Sequence, residues 1–243
     1  MNLHIFKNKE KMSHELALWM CEVISVVLKE QEYFTLVLSG GGTPKILFEK
    51  LASKEFRDKI NWKRIHVFWG DERVVPFDDA RNNAKMAFDT LLNHVDIPAG
   101  NIHVMRTDME PNFSAEAYNK ILHTYFANTS RSFDLVLLGM GDDGHTLSLF
   151  PDSPIIEDDT NWVNSVYNAK QEMYRITLMP ALVNKSSKIV FMVEGAKKAK
   201  VLQQVLEGEY MPTKLPAQII KPKDEGALHW FLDEAAAKEL HTT

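Results

Sequence analysis

The chain has 243 residues, of which 45% are hydrophobic and 25% are charged, an ordinary balance for a soluble globular protein. This length suits one large α/β domain, and we expect residues 1–243 to form a single domain. The net charge of −5 does not favour nucleic-acid binding, although a local basic pocket can still bind an anionic substrate.

The sequence shows no sign of export or of a membrane span. Residues 1–20 mix charged and apolar side chains, and no apolar run approaches the roughly 20 residues that a membrane span needs. Cys21 is the only cysteine, so an internal disulfide is excluded. We therefore expect a protein of the reducing cytoplasm, with no membrane as a partner.

Strand-like and helix-like segments alternate along the chain. The predicted strands are residues 34–38, 65–69, 133–138, 175–178 and 188–193. The predicted helices are residues 11–29, 44–51, 81–92, 114–126, 196–206 and 232–240. Residues 161–173 and 207–225 are interpreted as irregular. This alternation predicts an α/β fold with one mostly parallel open sheet and helices on both of its faces.

A glycine-rich loop separates the first predicted strand from the helix that follows it. Glycines let backbone N–H groups approach a ligand closely, and Pro44 suits a first helical turn, where its missing N–H has no role. The free N–H groups and the helix dipole favour an anion such as phosphate. The predicted phosphate-binding residues are Ser39, Gly40, Gly41, Gly42 and Thr43. A tight turn without a ligand is the alternative.

A charged loop, Gly70-Asp71-Glu72-Arg73, follows the second predicted strand. The guanidinium of Arg73 could bind phosphate or carboxylate oxygens through two hydrogen bonds. Asp71 and Glu72 could orient that guanidinium or hold a water. A solvated loop without a function is an equally good interpretation of the pattern.

The most informative segment is residues 133–146, where an apolar strand pattern ends in glycines, two carboxylates and a histidine. Its glycine spacing matches a dinucleotide-binding fingerprint, but the segment reaches Pro151 too soon for the long helix that such a fingerprint opens. Ligands bind beyond the carboxyl ends of strands in open α/β sheets. We therefore interpret His145 as a general base and Asp143 as the carboxylate that fixes its tautomer, with a structural histidine as the alternative.

Two further cations are candidates for phosphate binding. Arg175 begins a predicted strand, and Lys198 lies in the first turn of the helix after Gly195. Because Lys197 and Lys200 flank Lys198, a solvated basic face is the alternative interpretation.

Several catalytic signatures are missing from the sequence. There is no G-x-S-x-G motif of a serine hydrolase and no H-E-x-x-H motif of a metalloprotease. The other eight histidines are dispersed along the chain, so we expect no metal site.

These segments, in this order, resemble the 6-phosphogluconolactonase family, in the larger group that includes glucosamine-6-phosphate deaminase. The resemblance runs over nearly the whole chain, from residues 38–44 to residues 228–236. It is most specific at residues 139–151, where Leu147-Ser148-Leu149-Phe150-Pro151 is similar to the lactonase version of the motif. Deaminases usually have Asn-Glu-Pro at that point, and this chain has no glutamate there.

The resemblance implies a Rossmann-like fold similar to that of glucosamine-6-phosphate deaminase. It implies hydrolysis of 6-phospho-D-glucono-1,5-lactone to 6-phosphogluconate, the second step of the oxidative pentose phosphate pathway. It also implies that the enzyme needs no metal or organic cofactor. A small sugar-phosphate lactone is the expected partner, and nothing indicates an obligate protein partner.

The mechanism that we expect is general-base hydrolysis. His145 takes a proton from the water that attacks the lactone carbonyl, and Asp143 orients the imidazole and offsets its charge. Backbone N–H groups in the stretch from Gly141 to Gly144, or Arg73, stabilise the oxyanion. The remaining predicted site residues are Asp71 beside the reacting centre and, around the phosphate, the glycine-rich loop with Arg175 and Lys198.

The sequence leaves two alternatives open. An amino-sugar-phosphate deaminase or isomerase would use the same phosphate loop and the same Asp143 and His145 pair, but the missing glutamate argues against it. A non-catalytic sugar-phosphate sensor would ordinarily carry a DNA-binding module, and one α/β unit already occupies this length.

Overall fold

A computed structural model describes residues 1–241, and ten β-strands lie within them. In chain order the strands are β1 (Asn2–Phe6), β2 (Phe34–Leu38), β3 (Ile65–Trp69), β4 (Asp71–Arg73), β5 (Ile102–His103), β6 (Leu135–Gly139), β7 (Val163–Asn168), β8 (Met173–Leu178), β9 (Ile189–Val193) and β10 (Leu228–Asp233). Seven of them form one sheet in the order β1-β10-β9-β6-β2-β3-β5. Every pairing in this sheet is parallel.

Seven α-helices lie within the same residues. They are α1 (Lys9–Glu30), α2 (Gly42–Leu51), α3 (Asn83–Thr90), α4 (Pro111–Phe126), α5 (Pro180–Val183), α6 (Ala199–Glu207) and α7 (Glu234–Ala237). Helix α1 packs against α2 and β10, and α4 packs against β7 and β8. No helix in residues 1–241 is both long enough and apolar enough to cross a membrane.

Neighbouring residues of a strand point to opposite faces of the sheet, and apolar side chains pack on both faces of the main sheet. On one face of β10, the Phe231 ring lies 5.7 Å from the Trp19 ring of α1, between centroids. On the other face, Trp230 stacks on Phe191 of β9 with a centroid distance of 3.9 Å. Strands β2 and β9 are buried along their whole length, as the apolar sequences of central parallel strands require.

A second, antiparallel sheet of three strands, in the order β4-β8-β7, stands beside the carboxyl end of β3. Gly70 joins the two sheets, since its N–H donates to Leu38 O at 3.0 Å and its carbonyl accepts from Leu178 N at 2.8 Å. The register sets Arg73 of β4 opposite Arg175 of β8. Two cations from distant parts of the chain are thereby brought to one place.

The predicted α/β fold with a mostly parallel sheet is confirmed, and β2 and β3 have their predicted bounds. Three predictions were wrong. Residues 71–73 form a strand rather than a loop, and the irregular stretch 161–173 contains β7, since both segments gain their hydrogen bonds by pairing with β8. The predicted helix 232–240 begins later, at Glu234, because Leu232 and Asp233 complete β10.

Candidate active site

The candidate site lies where the order of the main sheet reverses. From β2 the chain proceeds outward through β3 and β5, then returns to place β6 on the other side of β2. In open α/β sheets such a switch point leaves a crevice beyond the carboxyl ends of the two strands. The glycine-rich loop after β2 and the histidine segment after β6 meet in this crevice.

A cleft of about 240 Å³ occupies the crevice. Eleven of the thirteen predicted site residues line it, namely Ser39, Gly40, Gly41, Gly42, Thr43, Asp71, Arg73, Gly141, His145, Arg175 and Lys198. The other two, Asp143 and Gly144, do not line the cleft but are next to residues that do. Segments that are far apart in the chain thus converge, because the carboxyl ends of parallel strands share one edge of the main sheet and the small antiparallel sheet places Arg73 and Arg175 beside it.

The imidazole of His145 is oriented by a hydrogen bond at Nδ1 and by ring packing. Its Nδ1 lies 2.5 Å from Oδ1 of Asp143, and its ring packs against Phe150 with a centroid distance of 4.7 Å. A Cβ atom on Gly141 would lie 2.1 Å from the same Nδ1, so only a glycine there leaves room for the ring. Within residues 1–241, Nε2 of His145 has no hydrogen-bond partner.

The hydrogen bond from His145 lowers the pKa of Asp143 to about 2, against a smaller opposing effect of burial. The carboxylate is therefore ionised at neutral pH and accepts the proton on Nδ1. That arrangement leaves the lone pair of the neutral ring on Nε2, where a general base needs it.

The sequence predicts that backbone N–H groups of residues 141–144, or Arg73, stabilise an oxyanion, but the N–H groups of Gly141 and Gly144 have other partners. The N–H of Gly141 donates to the carbonyl of His145 at 2.8 Å, and the N–H of Gly144 donates to the carbonyl of Gly141 at 3.1 Å. Both donors are therefore used within the turn itself. Gly144 has a φ of +79°, and a Cβ there would lie 2.9 Å from Leu215, so its glycine is explained by local structure.

The glycine-rich loop ends in the first turn of α2. Gly41 is the N-cap with a φ of +104°, and the first intrahelical bond runs from Lys45 N to Gly41 O at 3.3 Å. The N–H groups of Gly42 and Thr43 therefore precede the hydrogen-bonded part of the helix and face the anion site that a helix N-terminus forms. The hydroxyl of Thr43 is used elsewhere, since it donates to Glu194 at 3.0 Å.

Three cations line the cleft. Arg73 donates from Nη1 to Asn83 Oδ1 at 2.8 Å. Lys198 donates to the carbonyl of Met140, and burial lowers its pKa. Arg175 is only 4% exposed, and burial lowers its pKa while nearby Asp71 raises it.

Both arginines retain unused donors. Within the described part of the chain, the buried Nε atoms of Arg73 and Arg175 lack a hydrogen-bond partner. A guanidinium donates through several N–H bonds in one plane, so the side of each arginine that lines the cleft suits an anion with several oxygens.

The two carboxylates of the charged loop have different surroundings. Asp71 accepts from Ser148 Oγ at 2.7 Å and lies 3.5 Å from Nη1 of Arg175, so it is placed to orient that guanidinium. Glu72 is buried and accepts from the backbone N–H groups of Arg73, Asn83 and Ala84, which ties β4 to the start of α3. Burial raises its pKa to about 7, although the three N–H donors oppose the shift.

Some residues that line the cleft were not predicted from the sequence. Gln171, in the hairpin between β7 and β8, lines the cleft and accepts from Nη2 of Arg175. Its stretch was predicted to be irregular, and no motif marks it. Within residues 1–241, no group of three or more His, Cys, Asp or Glu side chains is arranged to hold a metal ion.

Fold and site together define an α/β protein with a cleft lined by cationic side chains and an imidazole at the switch point of its sheet. The family model described as "Glucosamine-6-phosphate isomerases/6-phosphogluconolactonase" matches residues 7–230. The chain belongs to this family.

Individual relatives agree with this membership. A 6-phosphogluconolactonase from Synechocystis sp. is 39% identical over 96% of this chain and 95% of its own length. The crystal structure of 6-phosphogluconolactonase from Thermotoga maritima is 28% identical, with a TM-score of 0.82 over 96% of this chain and 99% of that one. A monomeric glucosamine-6-phosphate deaminase, at 18% identity over 98% and 100% of the two chains, has a TM-score of 0.83 and shows the shared fold alone.

Proposed function

We propose that this protein hydrolyses 6-phospho-D-glucono-1,5-lactone to 6-phosphogluconate. The observation that carries the proposal is the imidazole of His145, oriented by Asp143 and opening on a cleft with three cations. The names of relatives that match almost the full chain support the same reaction. A base suits the hydrolysis of the neutral lactone carbonyl. A cationic pocket suits the phosphate dianion that the same substrate carries.

The phosphate is the natural ligand of the cationic side of the cleft. The N–H groups of Gly42 and Thr43 at the start of α2, with Arg175 and Lys198, offer it both backbone and charged donors. Holding the phosphate fixes the distant carbonyl carbon against His145. Such positioning makes the attack effectively unimolecular.

The reaction then needs one proton transfer in each direction. Nε2 of His145 takes a proton from water as the oxygen attacks the carbonyl carbon, and the carbonyl electrons move to its oxygen. When the tetrahedral intermediate collapses, the bond to the ring oxygen breaks and His145 returns the proton to that oxygen. Asp143 stays ionised throughout and offsets the charge of the imidazolium.

The developing oxyanion needs a donor other than the amides of Gly141 and Gly144. We assign this role to Arg73, because its guanidinium lines the cleft and its Nη2 makes no hydrogen bond within residues 1–241. A fixed positive charge in a partly desolvated cleft stabilises such an oxygen without reorganisation. General-base assistance contributes a further ~10²–10⁴-fold, which is useful for a lactone that already reacts with water.

The test follows acid release from freshly generated 6-phosphogluconolactone, with the spontaneous rate subtracted. We expect the purified protein to accelerate the release, with no ammonia released from glucosamine-6-phosphate under the same conditions. Ammonia release without lactone hydrolysis would establish the deaminase alternative. Tight binding of 6-phosphogluconate with no turnover of either substrate would establish the sensor.

A further inference from the structure

We propose that Gln171 is a positioning residue that determines specificity for phosphorylated substrates, by orienting Arg175 without neutralising it. This inference rests on the proposed function. Gln171 lies in the turn between β7 and β8 of the small sheet, and it lines the cleft.

The hairpin holds Gln171 in place through its own turn. The N–H of Gln171 donates to Asn168 Oδ1 at 3.1 Å and to Asn168 O at 3.2 Å. Glu172 follows with a φ of +51°, which turns the chain back into β8. The side chain of Gln171 consequently reaches the cleft, although the residue itself is exposed.

The contact with Arg175 fixes which way the amide faces. Nη2 of Arg175 donates to Oε1 of Gln171, and a guanidinium has no acceptor, so the oxygen must face the arginine. The amide nitrogen of Gln171 then has its two N–H bonds directed away from the arginine. It adds donors, and no negative charge, to this side of the cleft.

The two partners of Arg175 differ in charge, and the difference has a function. Asp71 faces Nη1 at 3.5 Å and already compensates part of the positive charge in this buried place. A second carboxylate in contact with Nη2 would form a hydrogen-bonded ion pair and leave little net charge for a dianion. A neutral acceptor orients the same guanidinium and keeps its charge available to a phosphate.

The experiment compares Gln171→Glu with Lys170→Gln. Both substitutions change the net charge by −1, but Lys170 is an exposed neighbour that does not line the cleft. The first measurement is the Kd of 6-phosphogluconate by calorimetry, which requires no turnover. The second compares KM and kcat for the phosphorylated lactone with those for glucono-1,5-lactone, which lacks the phosphate.

We expect Gln171→Glu to raise the Kd of 6-phosphogluconate and the KM of the phosphorylated lactone about tenfold, with kcat changed less than about twofold. The KM for glucono-1,5-lactone should not rise, and Lys170→Gln should change each constant less than about twofold. A merely structural role would impair both lactones alike. An unchanged Kd in Gln171→Glu, or an equal rise in Lys170→Gln, would overturn the proposal.

A failure of the proposed function can be distinguished from a failure of the proposed role of Gln171. If the wild-type protein binds 6-phosphogluconate but hydrolyses no lactone, the proposed function fails while the calorimetric comparison still decides the role of Gln171. Circular dichroism of each variant shows that the fold is retained. If Gln171→Glu does not fold, Gln171→Met removes the acceptor without a charge, and an unchanged Kd in that variant overturns the proposal.

Discussion

At the residue scale, the contact between Asp143 and His145 carries the proposed chemistry. Asp143→Asn keeps the shape of the side chain but removes the charge, and its amide can present a donor to Nδ1. The ring can then adopt the tautomer that puts the proton on Nε2, where it cannot act as a base. We expect kcat to fall roughly 10²-fold or more, with KM nearly unchanged, because Asp143 does not line the cleft.

Asp142→Asn is the matched control, since it removes an adjacent carboxylate that lies outside the cleft lining. An equal loss of kcat in both variants would indicate a general charge effect on the loop. Only a selective loss in Asp143→Asn agrees with a role in fixing the tautomer of His145.

In the proposed function, Arg175 binds the phosphate of the substrate. Arg175→Ala removes a buried guanidinium that lines the cleft, so it should weaken binding of the phosphate far more than it slows the chemistry. We expect KM for the phosphorylated lactone to rise by an order of magnitude or more, as is typical of a lost charge-assisted hydrogen bond. Steady-state kinetics measure the split, and an unchanged KM would remove Arg175 from the phosphate site.

At the scale of elements, Glu72 connects β4 with the start of α3, and its titration should be visible in stability. Its pKa is about 7 in the folded chain and near 4.5 when solvated, so the folded state holds the proton more tightly. The protonated carboxyl of Glu72 makes its full contribution to the free energy of unfolding below about pH 4.5. This contribution is lost as the pH rises to about 7.

Glu72→Gln isolates this effect because glutamine does not titrate. We expect the free energy of unfolding of the wild type to fall, relative to Glu72→Gln, by up to about 3 kcal/mol between pH 4.5 and pH 7. Urea unfolding at several pH values measures the difference. A difference that rises with pH over this range would mean that the three N–H donors outweigh burial.

How far the elements could be predicted depended on where their stability comes from. Strands β2 and β3 are apolar runs buried in the parallel sheet, so composition alone placed both of their ends. Strand β7, Val163-Asn164-Ser165-Val166-Tyr167-Asn168, is polar at several positions and gains its stability from antiparallel pairing with β8. No local pattern indicates a pairing of that kind.

Some features of the site could likewise be predicted from the sequence, and others could not. The segments that follow β2, β3, β6 and β9 could be predicted to meet, because parallel strands bring their carboxyl ends to one edge of the sheet. The use of the Gly141 and Gly144 amides within their own turn could not be predicted, because it depends on the local path of the backbone. The contact of Gln171 with Arg175 crosses a hairpin in a stretch that was predicted to be irregular.

At the scale of the whole molecule, we infer that the chain is one domain. Strands β1 and β10, close to the two ends of the described residues, are neighbours in the main sheet. Unfolding should therefore be a single cooperative transition. A product that binds the folded state adds stability to the whole domain, about 2.7 kcal/mol at a concentration one hundred times its Kd.

Calorimetric scans with and without 6-phosphogluconate test this cooperativity. We expect one transition that moves to higher temperature as a unit, and a smaller shift at the same ligand concentration for Arg175→Ala. Two separate transitions, of which the ligand moves only one, would show that the cleft belongs to an independently folding part.

The most direct test of the proposed catalysis is the kcat of His145→Gln on 6-phosphogluconolactone, with His94→Gln as the control at an exposed histidine outside the cleft. Glutamine fills a similar space but cannot take a proton from water at neutral pH. We expect kcat to fall at least ~10²-fold in His145→Gln while KM stays within a few fold, and His94→Gln to behave as the wild type. Wild-type turnover in His145→Gln would contradict the assignment of His145 as the base.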